Sequence, residues 1–201
     1  MFFSFDGIDG SGKSTQLQLF CDWLRQRGQT VVTCRDPGST PLGESVREIL
    51  LKRHDLAIDR MAEMLLYMAA RAQLVQQIIQ PALSAGNTVV SDRFLLANVV
   101  YQGHAGGLDV PALWKLGQFI TRSVEPDLTF LLDLAPNAAH SRIRRDLDRM
   151  EQQGDDFRQR LRNGFLAEAA RRPDKIVVID ANRPIEQVQA DICTAAQKFL
   201  P

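Results

Sequence analysis

Residues 7–15 read Gly7-Ile8-Asp9-Gly10-Ser11-Gly12-Lys13-Ser14-Thr15, a G-x-x-x-x-G-K-[ST] string. Those residue types at that spacing suit a polyphosphate. Glycines let the chain curl so that successive backbone N–H groups converge on phosphate oxygens. A helix beginning at Lys13 would add the partial positive charge of its N-terminus. Lys13 can then reach β- and γ-phosphates, and the Ser14 hydroxyl can serve Mg²⁺. The expectation is a nucleoside triphosphate site, with the donor nucleotide held by Gly7, Ile8, Asp9, Gly10, Ser11, Gly12, Lys13, Ser14 and Thr15.

Two broad classes then compete. A guanine-reading switch would need N-K-x-D, and none of Asn87, Asn98, Asn137, Asn163 or Asn182 is followed by Lys. A kinase of small acceptors would need a second anion site opposite the loop, and Arg35 and Arg93 stand at the ends of apolar runs. The kinase class is therefore favoured, with a regulatory switch kept as the distant alternative. Tyr67 and Arg71 are i and i+4, so on a helix they share one face. An aromatic face and a forked donor in that arrangement could bind a nucleobase.

The elements that must position these residues follow from the hydrophobic pattern. Short apolar runs at 2–5, 30–34, 88–91, 128–132 and 176–179 read as strands covered on both faces. Between them helical patterns run over 13–27, 42–53, 59–85, 110–123, 136–151 and 184–199, with Pro81 expected to disturb the third. Strand–helix alternation implies parallel βαβ units. The expected fold is three-layer α/β/α with a five-stranded parallel sheet, over a single domain, 1–201. Ligands in such folds bind beyond the carboxyl ends of the strands.

Composition sets the outer limits. The chain has 201 residues, 45% of them hydrophobic, and its 24 basic and 24 acidic side chains cancel. That balance argues against a general nucleic-acid coat or a membrane-surface protein. Cys21, Cys34 and Cys193 are widely spaced and odd in number, so neither a disulfide framework nor a zinc site is expected. No apolar run approaches the ~20 residues needed to span a bilayer. A soluble, cytoplasmic protein is expected.

Further strings lie beside the loop: Arg35-Asp36-Pro37-Gly38-Ser39-Thr40, Asp92-Arg93-Phe94, Tyr101-Gln102-Gly103 and Asp148-Arg149-Met150-Glu151. In this order and at these separations they resemble the thymidylate kinase family, bacterial type, one of the P-loop nucleoside monophosphate kinases. The resemblance covers essentially the whole chain. It implies the P-loop NTPase fold, transfer of a phosphoryl group from ATP to dTMP with Mg²⁺, and a homodimer. A relative with a different nucleotide acceptor is the nearer alternative. Carried over by position, Arg93 and Arg47 would grip the acceptor phosphate, and Asp9 would contact the deoxyribose 3′-hydroxyl. Asp92, with Ser14, would organise the magnesium shell. Tyr67 would stack on thymine, Arg71 and Asn98 would meet its edge, and Tyr101 would crowd the ribose 2′ position, with Gln102 as its polar neighbour in the substrate site.

Two positions depart from the family pattern. Tyr67 stands where Phe is usual, and Ala97 lacks a hydroxyl often found there. Residues 142–162, expected to form a helical lid, carry seven Arg against five acids. Position 10 is Gly where some members have a catalytic Arg, so the resemblance implies that the lid supplies that charge. Arg142 would lie over adenine. Arg144 and Arg149 are the catalytic candidates, with the choice among them and Arg145 left open.

Overall fold

The computed structural model describes residues 1–53, 55–143, 149 and 151–200. Five strands, β1 (Phe2–Asp6), β2 (Val31–Arg35), β3 (Thr88–Asp92), β4 (Leu128–Asp133) and β5 (Ile176–Asp180), form one parallel sheet in the order β2-β3-β1-β4-β5. The strand with the phosphate loop is thus central. Its neighbours β3 and β4 lie on opposite sides, so the loop emerges at a topological switch point.

All five strands were legible as apolar runs, but only the three central ones are covered on both faces. The edge strands β2 and β5 are partly exposed. The reason is position: an edge strand is flanked on one side only. Phe3 and Phe5 point from β1 into an aromatic cluster with Phe20 and Phe130, with centroid separations of 5.0–5.9 Å. Phe2 points to the opposite layer and meets Phe94 edge-on at 5.1 Å. Each fully buried Phe contributes about 1.5–3 kcal/mol by leaving water. Together they fix the height of β1 and hence of the loop above it.

The helices are α1 (Lys13–Gln26), α2 (Pro41–Lys52), α3 (Arg60–Leu74), α4 (Gln80–Ser84), α5 (Leu95–Asn98), α6 (Val110–Ile120), α7 (Pro136–Ser141), α8 (Asp155–Arg171) and α9 (Ile185–Gln197). Side chains of Thr40, Asp59 and Asp109 cap α2, α3 and α6 by accepting from early backbone N–H groups.

Two expectations need correction, and one helix was missed. The pattern over 59–85 is not one regular helix: a π-helical stretch, Val75–Ile79, separates α3 from α4. Pro81 lacks an N–H and crowds the preceding turn, and the widening falls just before it. The pattern over 136–151 is helical only as far as Ser141, with a short 3₁₀ turn at Glu151–Gln153. Most of the intervening lid segment lies outside the described residues. Finally, α8 did not stand out in the sequence, because nine of its seventeen residues are Asp, Glu, Arg, Gln or Asn. The buried face that holds it, Phe157, Leu161, Gly164, Phe165, Glu168 and Ala169, is diluted by that polar majority.

Candidate active site

The phosphate loop leaves β1 at Asp6 and enters α1 through Gly12, whose φ of 94° caps the helix. Gly10, at φ 84°, is pressed against α7: a Cβ there would lie 2.1 Å from the Ala139 carbonyl oxygen. Only glycine fits, in conformation and in space. Lys13 Nζ donates to the Gly7 and Ile8 carbonyls, 3.0 Å each, and stands 3.7 Å from Asp9 Oδ1. Burial and the nearby Arg93 charge lower the Lys13 pKa.

Arg93 sits just past β3 with φ 66°, a conformation costly for a non-glycine residue. Its N–H continues the sheet by donating to Phe5 O at 2.9 Å. Its guanidinium donates to Gly7 O at 3.1 Å and Asp9 Oδ1 at 2.6 Å, and lies 5.1 Å from the Tyr101 ring centroid. Tyr101 Oη donates to the other Asp9 oxygen at 3.1 Å. Burial works against ionisation of Asp9, yet Arg93 and Lys13 outweigh it and hold its carboxyl well below the usual range. The surrounding carboxylates likewise outweigh burial at Arg93 and raise its pKa well above normal.

Asp6, under the loop, behaves differently. It is fully buried, Oδ2 meets only the Ser4 hydroxyl at 3.3 Å, and Oδ1 has no hydrogen-bond partner. Burial pushes its pKa up to about 7 despite Arg93 and Lys13.

Two clefts open at the carboxyl ends of the strands. One runs over Gly10–Gln16 toward Arg142, Ala181 and Pro184. The other is walled by Tyr67, Arg71, Asn98, Tyr101 and Gln102. Asp9, Asp36, Arg47 and Arg93 line both, so the clefts meet end to end at two guanidinium groups. Arg47 donates to Pro37 O at 3.0 Å, and burial, then repulsion from Arg35, lowers its pKa. The second cleft owes its far wall to α5 and the π-helical Val99–His104 that follows, which carry Asn98, Tyr101 and Gln102.

Tyr67 and Arg71 meet at this cleft, as their spacing implies. Arg142 borders the loop cleft and donates to Ala181 O at 3.4 Å. Arg149 stands elsewhere, with Nε donating to Leu50 O at 2.8 Å and its guanidinium paired with Glu63. Arg144 and Arg145 lie outside the described residues. Ser14 and Asp92 both border the loop cleft, and Asp92 Oδ1 is buried without a hydrogen-bond partner. A hydroxyl and an open carboxylate are the hard oxygen donors Mg²⁺ takes when phosphates and waters complete its shell. Among the described residues no cluster of three or more His, Cys, Asp or Glu could hold a metal by itself.

Two residues without an assigned role in the sequence reading belong to this site. Asp36 Oδ2 accepts from Arg71 Nε at 2.5 Å, with both side chains buried. Burial raises the Asp36 pKa, with Arg71 opposing. Glu63, also buried, accepts from Gln102 at 2.9 Å. A spacing signal existed for Glu63: it precedes Tyr67 by four residues and Arg71 by eight, one face of α3.

A phosphate loop at a switch point, joined through paired guanidinium groups to a cleft with an aromatic wall, defines a nucleotide kinase of the P-loop class. Residues 5–192 match the family model for thymidylate kinase. Thymidylate kinase of Exiguobacterium sibiricum is 40% identical over 99% of this chain and 95% of its own length. That of Symbiobacterium thermophilum is 41% identical over 100% and 94%. The crystal structure of thymidylate kinase from Ehrlichia chaffeensis superposes with a TM-score of 0.79 at 32% identity, covering 98% of both chains. The chain belongs to the thymidylate kinase family, an ATP-dependent kinase that phosphorylates dTMP. None of its described helices is long and apolar enough to cross a membrane.

Proposed function

We propose that the chain makes dTDP from dTMP by in-line phosphoryl transfer within the joined clefts. The observation that carries this is the meeting of the two clefts at Arg47 and Arg93. ATP lies along Gly7–Thr15, with Lys13 on its β- and γ-phosphates and Arg142 over adenine. dTMP lies in the second cleft, its phosphate held by Arg93 and Arg47. Tyr67 stacks on the base, Arg71, Asn98 and Gln102 face its edge, Tyr101 crowds C2′, and Asp9 meets the 3′-hydroxyl.

A dTMP phosphate oxygen attacks the γ-phosphorus as the bond to the bridging β,γ-oxygen breaks, and ADP leaves. The nucleophile is already anionic, so no strong base is needed. Alignment and charge neutralisation carry the rate. Ser14 and Asp92 would hold Mg²⁺, which when bound neutralises charge on the transferred phosphoryl group. Arg144 or Arg145, from the segment after α7, adds positive charge in the transition state, or Arg149 once released from Glu63 and Leu50 O.

Two wider assignments accompany this. The protein acts in a reducing, cytoplasmic setting, in keeping with three free, buried cysteines. It works as a homodimer, in keeping with apolar Phe119, Met61 and Leu65 exposed on α6 and α3.

The test is ADP release with Mg²⁺-ATP and dTMP, dUMP, dCMP, dGMP or AMP as acceptor. The expected result is the highest kcat/KM with dTMP. Equal rates on all five would overturn the acceptor assignment.

A further inference from the structure

A single chain of buried hydrogen bonds runs behind the acceptor cleft. Asp36 Oδ2 accepts from Arg71 Nε at 2.5 Å, and Arg71 Nη1 donates to Asn98 Oδ1 at 2.8 Å. Asn98 Nδ2 donates to Gln102 Oε1 at 2.7 Å, and Gln102 Nε2 donates to Glu63 Oε1 at 2.9 Å. The other Glu63 oxygen pairs with Arg149, whose Nε holds Leu50 O at 2.8 Å. Arg71, Asn98, Gln102 and Glu63 are all 6% exposed or less.

The polarity of this chain is set at its ends. A guanidinium only donates and a carboxylate only accepts. With Arg71 at one end, Asn98 must turn its carbonyl toward it. With Glu63 at the other, Gln102 must turn its NH₂ there. The two amides between can then satisfy one another in one orientation only. Asn98 and Gln102 border the cleft, whereas Glu63 stands behind them.

We infer that Glu63 is a positioning residue for base selection: by holding the Gln102 NH₂ it keeps the Gln102 carbonyl on Asn98 and so, together with Arg71, fixes which edges of the two amides face the nucleobase. This rests on the assignment of the cleft to the dTMP base. Thymine and cytosine differ by an exchange of donor and acceptor: thymine offers N3–H and O4, cytosine N3 and N4–H₂. A flipped amide makes the same exchange on the protein side. Fixing the amides therefore fixes the choice between the two pyrimidines.

Glu63→Met removes the terminal acceptor at nearly unchanged side-chain length. The ratio of kcat/KM for dTMP to that for dCMP is expected to fall at least about tenfold, because a site built on hydrogen-bond pairing owes its discrimination to that pairing. KM for ATP is expected to stay within about twofold, since Glu63 does not line the loop cleft. Glu63→Gln can still offer a carbonyl to Gln102 and is expected to recover most of the ratio. If E63M slows both acceptors in proportion, or E63Q fails to restore the ratio, Glu63 merely supports the fold and the inference fails.

Thermal melting shows whether each variant is folded. If neither folds, the wild-type protein decides by NMR: Gln102 side-chain amide protons that exchange with solvent as fast as those of free glutamine would overturn the inference. A wild-type protein that does not prefer dTMP would instead overturn the cleft assignment, so the two failures are separable.

Discussion

Asp6 and Asp9 lie three residues apart and are driven in opposite directions. Asp9 accepts from Arg93 and Tyr101 and is held ionised. Asp6 is buried with one unpaired oxygen, and its pKa rises from 3.8 to about 7. A carboxyl that binds its proton more tightly when folded makes the folded state the better proton binder between these values. Stability therefore falls as pH rises from about 4 to about 7, by up to about 4 kcal/mol from this one group. Asp6→Asn cannot ionise at this position. Urea unfolding at pH 5 and pH 8 is expected to show a smaller loss on going to pH 8 in D6N than in wild type. An unchanged difference would mean that Asp6 is ionised in the native protein at both pH values. The residue matters for function because its charge would lie under Lys13 and Arg93, the cations that have to face phosphate.

At the scale of elements, α7 decides what the phosphate loop can carry. The Ala139 carbonyl fills the space a Cβ on Gly10 would need. A Gly10→Arg change, the residue some family members use, is expected to displace the loop from α7 rather than deliver a guanidinium to the phosphates. Single-turnover rates are expected to fall at least about a hundredfold, as when a donor aimed at transition-state charge is removed. Near wild-type transfer by G10R would show that α7 yields and that charge can come from the loop. The same packing explains what was legible in the sequence. Glycine spacing, the central strands and the Tyr67–Arg71 pair are local patterns, readable residue by residue. Asp36 with Arg71, Glu63 with Gln102, and Gly10 against Ala139 are contacts between elements distant in the chain. The π-helical widenings at Val75–Ile79 and Val99–His104 also escaped, because their residues are as apolar as those of an ordinary helix. The position of Arg149 is the clearest case: the resemblance made it a candidate for the lid's catalytic charge, while its described partners are Glu63 and a backbone carbonyl of α2.

At the scale of the whole molecule, α3 has two occupations. Glu63, Tyr67 and Arg71 turn inward to the acceptor cleft and its backing chain. Met61 and Leu65 turn outward, each 49% exposed, and Phe119 on the neighbouring α6 is 82% exposed. Exposed apolar side chains on two neighbouring helices suit a surface that another protein covers. If a second copy covers it, the wall that holds the base is braced by the partner. Sedimentation is then expected to give twice the 22.5 kDa chain mass for wild type. Phe119→Asp would bury a charge at the interface and is expected to shift the protein toward monomer at micromolar concentration. The loss should reach the chemistry through α3, raising KM for dTMP more than KM for ATP, because the ATP loop hangs from β1 and α1 on the other layer. A wild-type monomer, or an F119D protein that still sediments as a dimer, would show that α3 and α6 face solvent and that the acceptor cleft stands without a partner.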